Sequence, residues 1–374
     1  MRALRAALTL ALLLPVYGAE SNYEKNYREA KAFRAQGRFL DAEYSMAAAL
    51  AETENSTSLI ERLPTALFEM ADIYRIEGKY SEAGPLLERS LALREKVDGR
   101  DSMALLPTMT NLVKIDQALR KYPNAETLLA RAIAIRETHQ GPEHPDLATE
   151  YTNLGKIMVS QKKLIEAEPL YRRALQIGEK NYEPEDIKLC PALDALAGLY
   201  REQEQFDLAE PLLKRSLWIR DNLVGPVHQD VAQALDALGS LYYTMKRYPE
   251  AETIYRRSLA IWSELLGPGH PLLATSLDNL AVVLALQQKY AEAETLYKRS
   301  LGIRDGEDAG SLHNLALVQV ALDKSKDAAA LYKRLLTVVD PPPPAVLKEY
   351  ADVLRKLNRP MEAKRMDARA KGRK

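Results

Sequence analysis

The sequence predicts an all-α solenoid of stacked antiparallel helix pairs, and three observations predict it. One alanine recurs along almost the whole chain, at Ala42, Ala83, Ala125, Ala167, Ala209, Ala251, Ala293, Ala328 and Ala363, with spacings of 41, then 42 five times, then 35 twice. Around each mark the same residue types stand at offsets of three, four and seven to eight residues, which is the helical period. Breakers fall at matching places between the apolar stretches.

The offsets define the two helices of each unit. Three before the mark stands a bulky residue (Phe39, Tyr80, Tyr122, Leu164, Phe206, Tyr248, Tyr290), and thirteen before it an apolar one (Met70, Leu112, Leu154, Leu196, Leu238, Leu280, Leu315). Twelve before it is usually small, as in Ala71, Gly155, Ala197 and Gly239, which lets two helix axes approach closely. Four and eight after it come pairs such as Leu87 and Leu91 or Tyr255 and Leu259. Gly78-Lys79, Lys162-Lys163 and Gln288-Lys289 separate the helices of a pair. Gly141-Pro142, Gly225-Pro226 and Gly267-Pro268 separate pairs, since Gly stops one helix and Pro suits the first turn of the next. A single unit cannot offset the entropy of ordering its own backbone, so the units must bury their second faces on each other.

Taken in chain order, residues 1–18 read as a secretory signal peptide. Met1, Arg2 and Arg5 precede the apolar run Ala6 to Val16, and the small residues Gly18 and Ala19 close it. The run is shorter than the roughly 20 residues a membrane span needs, and no Cys follows it for a lipid anchor. The expectation is a secreted or periplasmic protein with no membrane span in its mature chain. Residues 19–371 then form the solenoid: a capping repeat over 22–57, 42-residue repeats over 58–304, a short repeat over 305–338, and a capping pair over 345–371 entered through the stiff Asp340 to Pro344 stretch. The count is eighteen helices in nine pairs.

Composition narrows the function classes. Without residues 1–18 the chain carries 50 basic and 52 acidic side chains, a balance that argues against nucleic acid as a partner. The one cysteine, Cys190, excludes an internal disulfide, so packing alone must hold the fold. His144, His228 and His270 occupy equivalent turns between repeats, too far apart to share a metal whose His nitrogens lie about 2.0 to 2.1 Å away. No phosphate loop, His-Glu-x-x-His run or nucleophile elbow is present. The expectation is therefore a non-enzymatic protein with no cofactor and no metal.

The runs Thr152-Asn153-Leu154-Gly155, Glu166 to Leu175 and Gly267-Pro268-Gly269-His270-Pro271 resemble the tetratricopeptide repeat family, in its kinesin-light-chain-like 42-residue form. The resemblance covers about residues 22–371. It implies a right-handed superhelical solenoid whose concave groove is lined by the first helix of each pair. The signal peptide and the lack of an N-terminal heptad coiled coil depart from kinesin light chains themselves.

The family uses Asn fourteen before the mark to clamp a peptide backbone; Asn111, Asn153, Asn279 and Asn314 match, while Ala195 and Ala237 do not. A carboxamide offers both a donor and an acceptor for that task, or for linking one repeat to the next. Lys114 and Lys156 lie one turn further on the same face and, with Asn111 and Asn153, resemble the carboxylate clamp of chaperone-binding members. Asp194, Asp236 and Asp278 recur at 42-residue intervals as an acidic stripe, which favours a basic ligand segment unless it is only a solvated face. Two functional readings follow. One is a scaffold that binds a polypeptide segment in its groove; the other is a structural envelope component that self-associates through the solenoid ends.

Overall fold

The computed structural model describes residues 22–372, and every α-helix begins or ends where the repeat marks place it. The signal peptide expected at residues 1–18 lies outside the described residues. The described chain holds eighteen α-helices and no strand, so the all-α reading and the helix count are borne out. No helix among the described residues is long and apolar enough to cross a membrane. The described residues divide into two compact units, residues 22–181 and 182–372.

The first unit contains α1 (Asn22–Ala35), α2 (Phe39–Asn55), α3 (Leu63–Ile76), α4 (Tyr80–Asp98), α5 (Leu106–Ala118), α6 (Tyr122–Gln140), α7 (Asp146–Ser160) and α8 (Leu164–Asn181). The second contains α9 (Cys190–Glu202), α10 (Phe206–Val224), α11 (Gln229–Thr244), α12 (Tyr248–Leu265), α13 (Pro271–Leu286), α14 (Tyr290–Ile303), α15 (Ala309–Ala321), α16 (Ser325–Val338), α17 (Pro344–Lys356) and α18 (Pro360–Ala370). Odd helices open the pairs and even helices close them. Within each unit every helix packs on the next.

The recurring alanines are the tightest points of the packing, none more than 1% exposed. The small residue twelve before the mark has a specific cause where it is Gly. A Cβ at Gly155 would stand 2.4 Å from the Tyr171 ring, and one at Gly239 would stand 2.7 Å from Tyr255. At these two repeats the Tyr ring leaves no room for a side chain, whereas Ala281 and Ala316 stand opposite Tyr297 and Tyr332 in the later repeats. Where Leu87 or Leu213 stands four after the mark instead, Ala71 and Ala197 fit.

Five residues before each mark the chain turns left-handed, at Gly37, Gly78, Arg120, Lys162, Glu204, Lys246, Gln288, Asp323 and Asn358, with φ between +56° and +76°. The next amide donates back to a carbonyl in the last turn of the first helix, as Lys79 does to Tyr74 (2.8 Å) and Lys121 to Asp116 (2.7 Å). This closes the helix by satisfying carbonyls that its end would leave unpaired. Only two of the nine positions keep Gly. The non-glycine residues elsewhere are exposed, and the same closing backbone hydrogen bond follows each of them.

Within each unit, ion rungs tie all but one of the successive pairs to the one before. The residue after the mark is often Glu, and its carboxylate takes the cation four before the next mark: Glu43 with Lys79 (2.7 Å) and Glu126 with Lys163 (3.0 Å) in the first unit. In the second unit the rungs are Glu210 with Arg247 (2.8 Å), Glu252 with Lys289 (2.7 Å) and Glu294 with Lys324 (2.6 Å). In the first unit one rung is missing, because Gly84 stands where Glu is expected and Lys121 has no carboxylate to meet.

Candidate functional site

In the first unit the residues fourteen and eleven before each mark share one face of the first helices. On α3 they are Glu69 and Asp72, and Arg34 of α1 bridges both, at 2.8 and 2.9 Å. Tyr27 of α1 also donates to Glu69 (3.2 Å); burial first, and then the Glu69 charge, push its phenol up to about 12. This end of the face is closed on itself.

On α5 and α7 the same positions are Asn111 with Lys114 and Asn153 with Lys156. Both asparagines are half-buried and both lysines exposed. None of these four side chains has a hydrogen bond or ion pair among the described residues, so the asparagines do not link repeat to repeat here. Between α5 and α7, over α6, lies a concavity of about 340 Å³ that Thr110, Lys114, Gln117, Thr149 and Asn153 line. Arg136 of α6 stands at its floor and donates to Glu150 (2.9 Å) and Asp146 (2.8 Å). Burial pushes the Glu150 carboxyl up despite the hydrogen bond from Arg136, and its Oε2 is buried without a partner.

The equivalent face of the second unit is built differently. Asp194 of α9 accepts from Ser216 (2.6 Å) and Arg220 (2.6 Å) of α10. Asp236 of α11 accepts from Ser258 (2.5 Å) and from the Trp262 indole (3.0 Å) of α12. Asp278 of α13 pairs with Arg304, just beyond α14, and accepts from Ser311 (2.9 Å), while its Oδ1 is buried without a partner. Burial raises the Asp236 carboxyl, and the two donors only partly offset this. The acidic stripe is therefore engaged by neighbouring side chains of the fold rather than standing as a row of solvated charges.

The remaining sequence candidates in this unit fall into place around it. Ala195 and Ala237 leave the clamp position bare. Asn279 is half-buried with no hydrogen bond of its own, and Asn314 shares one with the Tyr297 hydroxyl. The concavity over α10, lined by Asp194, Gly198, Arg201, Arg220 and Ala237, is about 190 Å³.

Sequence reasoning missed the partners of the stripe, although they carry a readable signal. Ser216 and Ser258 recur 22 residues after Asp194 and Asp236, and Arg220, Trp262 and Arg304 recur 26 after the three aspartates; Ser300 keeps the spacing but donates to the Ala274 carbonyl (3.2 Å) instead. It also missed the task of the turn histidines. The Nδ1 atoms of His144, His228 and His270 accept from the amides of Asp146 (3.3 Å), Asp230 (3.1 Å) and Leu272 (3.2 Å), where they satisfy free amides at a helix start. The Cys190 thiol is buried, contacts the Ser216 carbonyl at 3.7 Å, and is pushed up by that burial. No group of three His, Cys, Asp or Glu side chains among the described residues converges well enough to hold a metal.

The profile of the tetratricopeptide repeat family matches residues 62–138, 106–180, 146–222, 188–262 and 230–306, together more than half of the chain. No curated protein matches the sequence. Among solved structures, the chain is similar to BtubC (BKLC) from P. vanneervenii, with 24% identity and a TM-score of 0.52 over 61% of this chain and 89% of that one. It is also similar to a tetratricopeptide repeat protein from Parabacteroides merdae, with 15% identity and a TM-score of 0.55 over 80% of this chain and 99% of that one. Kinesin-light-chain-type repeats from Podosopora anserina align at 22% identity and a TM-score of 0.48 over 54% of this chain and 96% of theirs. At these identities the likeness is one of fold.

Proposed function

Because the chain belongs to the tetratricopeptide repeat family, we propose that it is a non-enzymatic interaction scaffold whose first-helix groove in residues 22–181 holds an extended, carboxylate-bearing polypeptide segment. The observation that supports this is the set Asn111, Lys114, Asn153 and Lys156: two half-buried amides and two exposed ammonium groups, on adjacent first helices, with no partner among the described residues. Half-buried amides left unpaired are costly compared with paired ones, and a peptide backbone supplies the donor and acceptor each of them lacks. The lysines beside them suit acidic side chains or a terminal carboxylate. Asp194, Asp236 and Asp278 serve in this reading as braces that fix the second unit, and Asn279 and Asn314 continue the amide positions there.

Selection of a random octapeptide library on the full chain tests the reading. The expected result is an enriched acidic pool whose capture falls at least about tenfold in Asn111→Ala/Asn153→Ala, which loses neutral hydrogen bonds to the peptide backbone, and in Lys114→Ala/Lys156→Ala, which loses charge-assisted ones. Equal capture by both variants and the parent would contradict it.

A further inference from the structure

The missing ion rung of the first unit coincides with a second irregularity nine residues before a repeat mark. That position holds Tyr74, Met158, Tyr200, Tyr242, Leu284 and Leu354, all large, but Asp116 on α5 and Gln319 on α15. In the second unit Tyr242 shows what the large residue does: its hydroxyl donates to Glu210 (3.0 Å) and Arg247 lies 4.4 Å over its ring, which fills the space beside the rung. At both exceptions the space stays open. Beside Gln319 there is a concavity of about 400 Å³, and beside Asp116 one of about 350 Å³.

The Asp116 concavity is the more pointed of the two. It lies between the second helices α4 and α6 with α5 as its floor, so it opens on the opposite side from the first-helix groove. Asp116 is 5% exposed and has no hydrogen bond or ion pair of its carboxylate among the described residues. Lys121, whose rung partner is replaced by Gly84, acts on its charge without pairing with it, and burial raises its carboxyl nonetheless. Glu88 adds a second negative charge at the rim, Asn124 and Thr127 offer side-chain oxygens, and Leu91, Leu112 and Leu128 form apolar walls. Thr127 already donates its hydroxyl to the Pro123 carbonyl (3.0 Å), so what it presents to the opening is acceptor capacity.

We propose that this concavity is a binding site for an alkylammonium group, entered by the side chain of a lysine from a partner polypeptide. The apolar walls match the methylene stem, and the buried carboxylate with the rim oxygens matches the three donors of an ammonium head. The donor groups do not converge as a metal site would. A volume in the low hundreds of Å³ is the size of small-ligand pockets. The site stands apart from the groove, so the two can fail separately.

The test is an NMR titration of the full chain with three probes: Nα-acetyl-lysine N-methylamide, n-butylammonium, and the neutral isostere Nα-acetyl-norleucine N-methylamide. Both amines should give saturable shifts at Leu91, Leu112 and Leu128, with the lysine derivative the tighter, while the norleucine derivative gives none. Asp116→Asn should weaken the amines about tenfold or more. Asp116→Leu, which restores the residue type of Leu284 at this register, should abolish binding and melt no lower than the parent. Binding of the norleucine derivative equal to that of lysine, unchanged affinity in Asp116→Leu, or no saturable shift with either amine would overturn the proposal. A butylammonium ion that binds tighter than the lysine derivative would overturn the polypeptide as its source.

Discussion

The first helices of the two units carry polar residues at neighbouring positions of the repeat, yet the two sets meet opposite fates. In residues 22–181 the face over α5 and α7 leaves Asn111, Lys114, Asn153 and Lys156 without partners, next to Thr110 and Thr152. In residues 182–372 the position one residue earlier becomes Asp194, Asp236 and Asp278, and each carboxylate is drawn inward by a Ser, Arg or Trp of its own pair. A repeat register fixes where a side chain starts. Its length, charge and the partner 22 to 26 residues later decide whether it is paired within the fold or left open.

The largest expected effect breaks the brace. Asp236→Ala strands the indole N–H of Trp262, itself 4% exposed, and should lower stability by roughly 2 to 4 kcal/mol, the cost of an unpaired buried donor plus a cavity. Thr152→Ala sits at the same register in the first unit, where the hydroxyl only back-bonds to Ala148 at 2.7 Å, and should cost about 1 kcal/mol or less. Chemical denaturation of the two variants checks the contrast, and equal losses would remove it.

A smaller effect concerns the rungs, which both units share. Hydrogen bonds from Lys298 and then Lys324 hold the Glu294 carboxyl at about 2, against an ordinary value of 4.5. A depressed carboxylate stabilises the fold above its unfolded pKa, and that contribution drains away as the pH falls from about 4.5 towards 2. Glu294→Gln should therefore cost roughly 1 to 3 kcal/mol at neutral pH, and the difference from the parent should vanish near pH 2. A difference independent of pH would mean that the rung acts through packing alone.

How much of this was legible in the sequence differs between fold and site. The nine alanine marks placed every pair because close helix packing leaves no freedom at those positions, and all nine are buried. Side-chain pairing between helices was harder to read. The aspartate stripe was visible at 42-residue intervals, but it read as a row of charges facing either a basic ligand or solvent. The donors that reverse that expectation recur with the same period, on the other helix of each pair, where only the packing shows that they meet. The Asp116 opening was hidden for a different reason: it is a departure from the pattern, and periodicity draws attention to what conforms.

The smallest expected effect is on stability at the open face. Asn153→Ala should change it by no more than about 0.5 kcal/mol, because no partner among the described residues is lost.

The measurement that bears most directly on the account compares two multiple variants side by side, Lys114→Ala/Lys156→Ala and Asp194→Asn/Asp236→Asn/Asp278→Asn, for melting temperature and for capture of the selected acidic octapeptide pool. The lysine variant should melt within a few degrees of the parent and lose capture, while the aspartate variant melts markedly lower and, below its transition, still captures. A stable aspartate variant that no longer binds, beside a lysine variant that binds as the parent does, would contradict the assignment of binding to the first unit and bracing to the second.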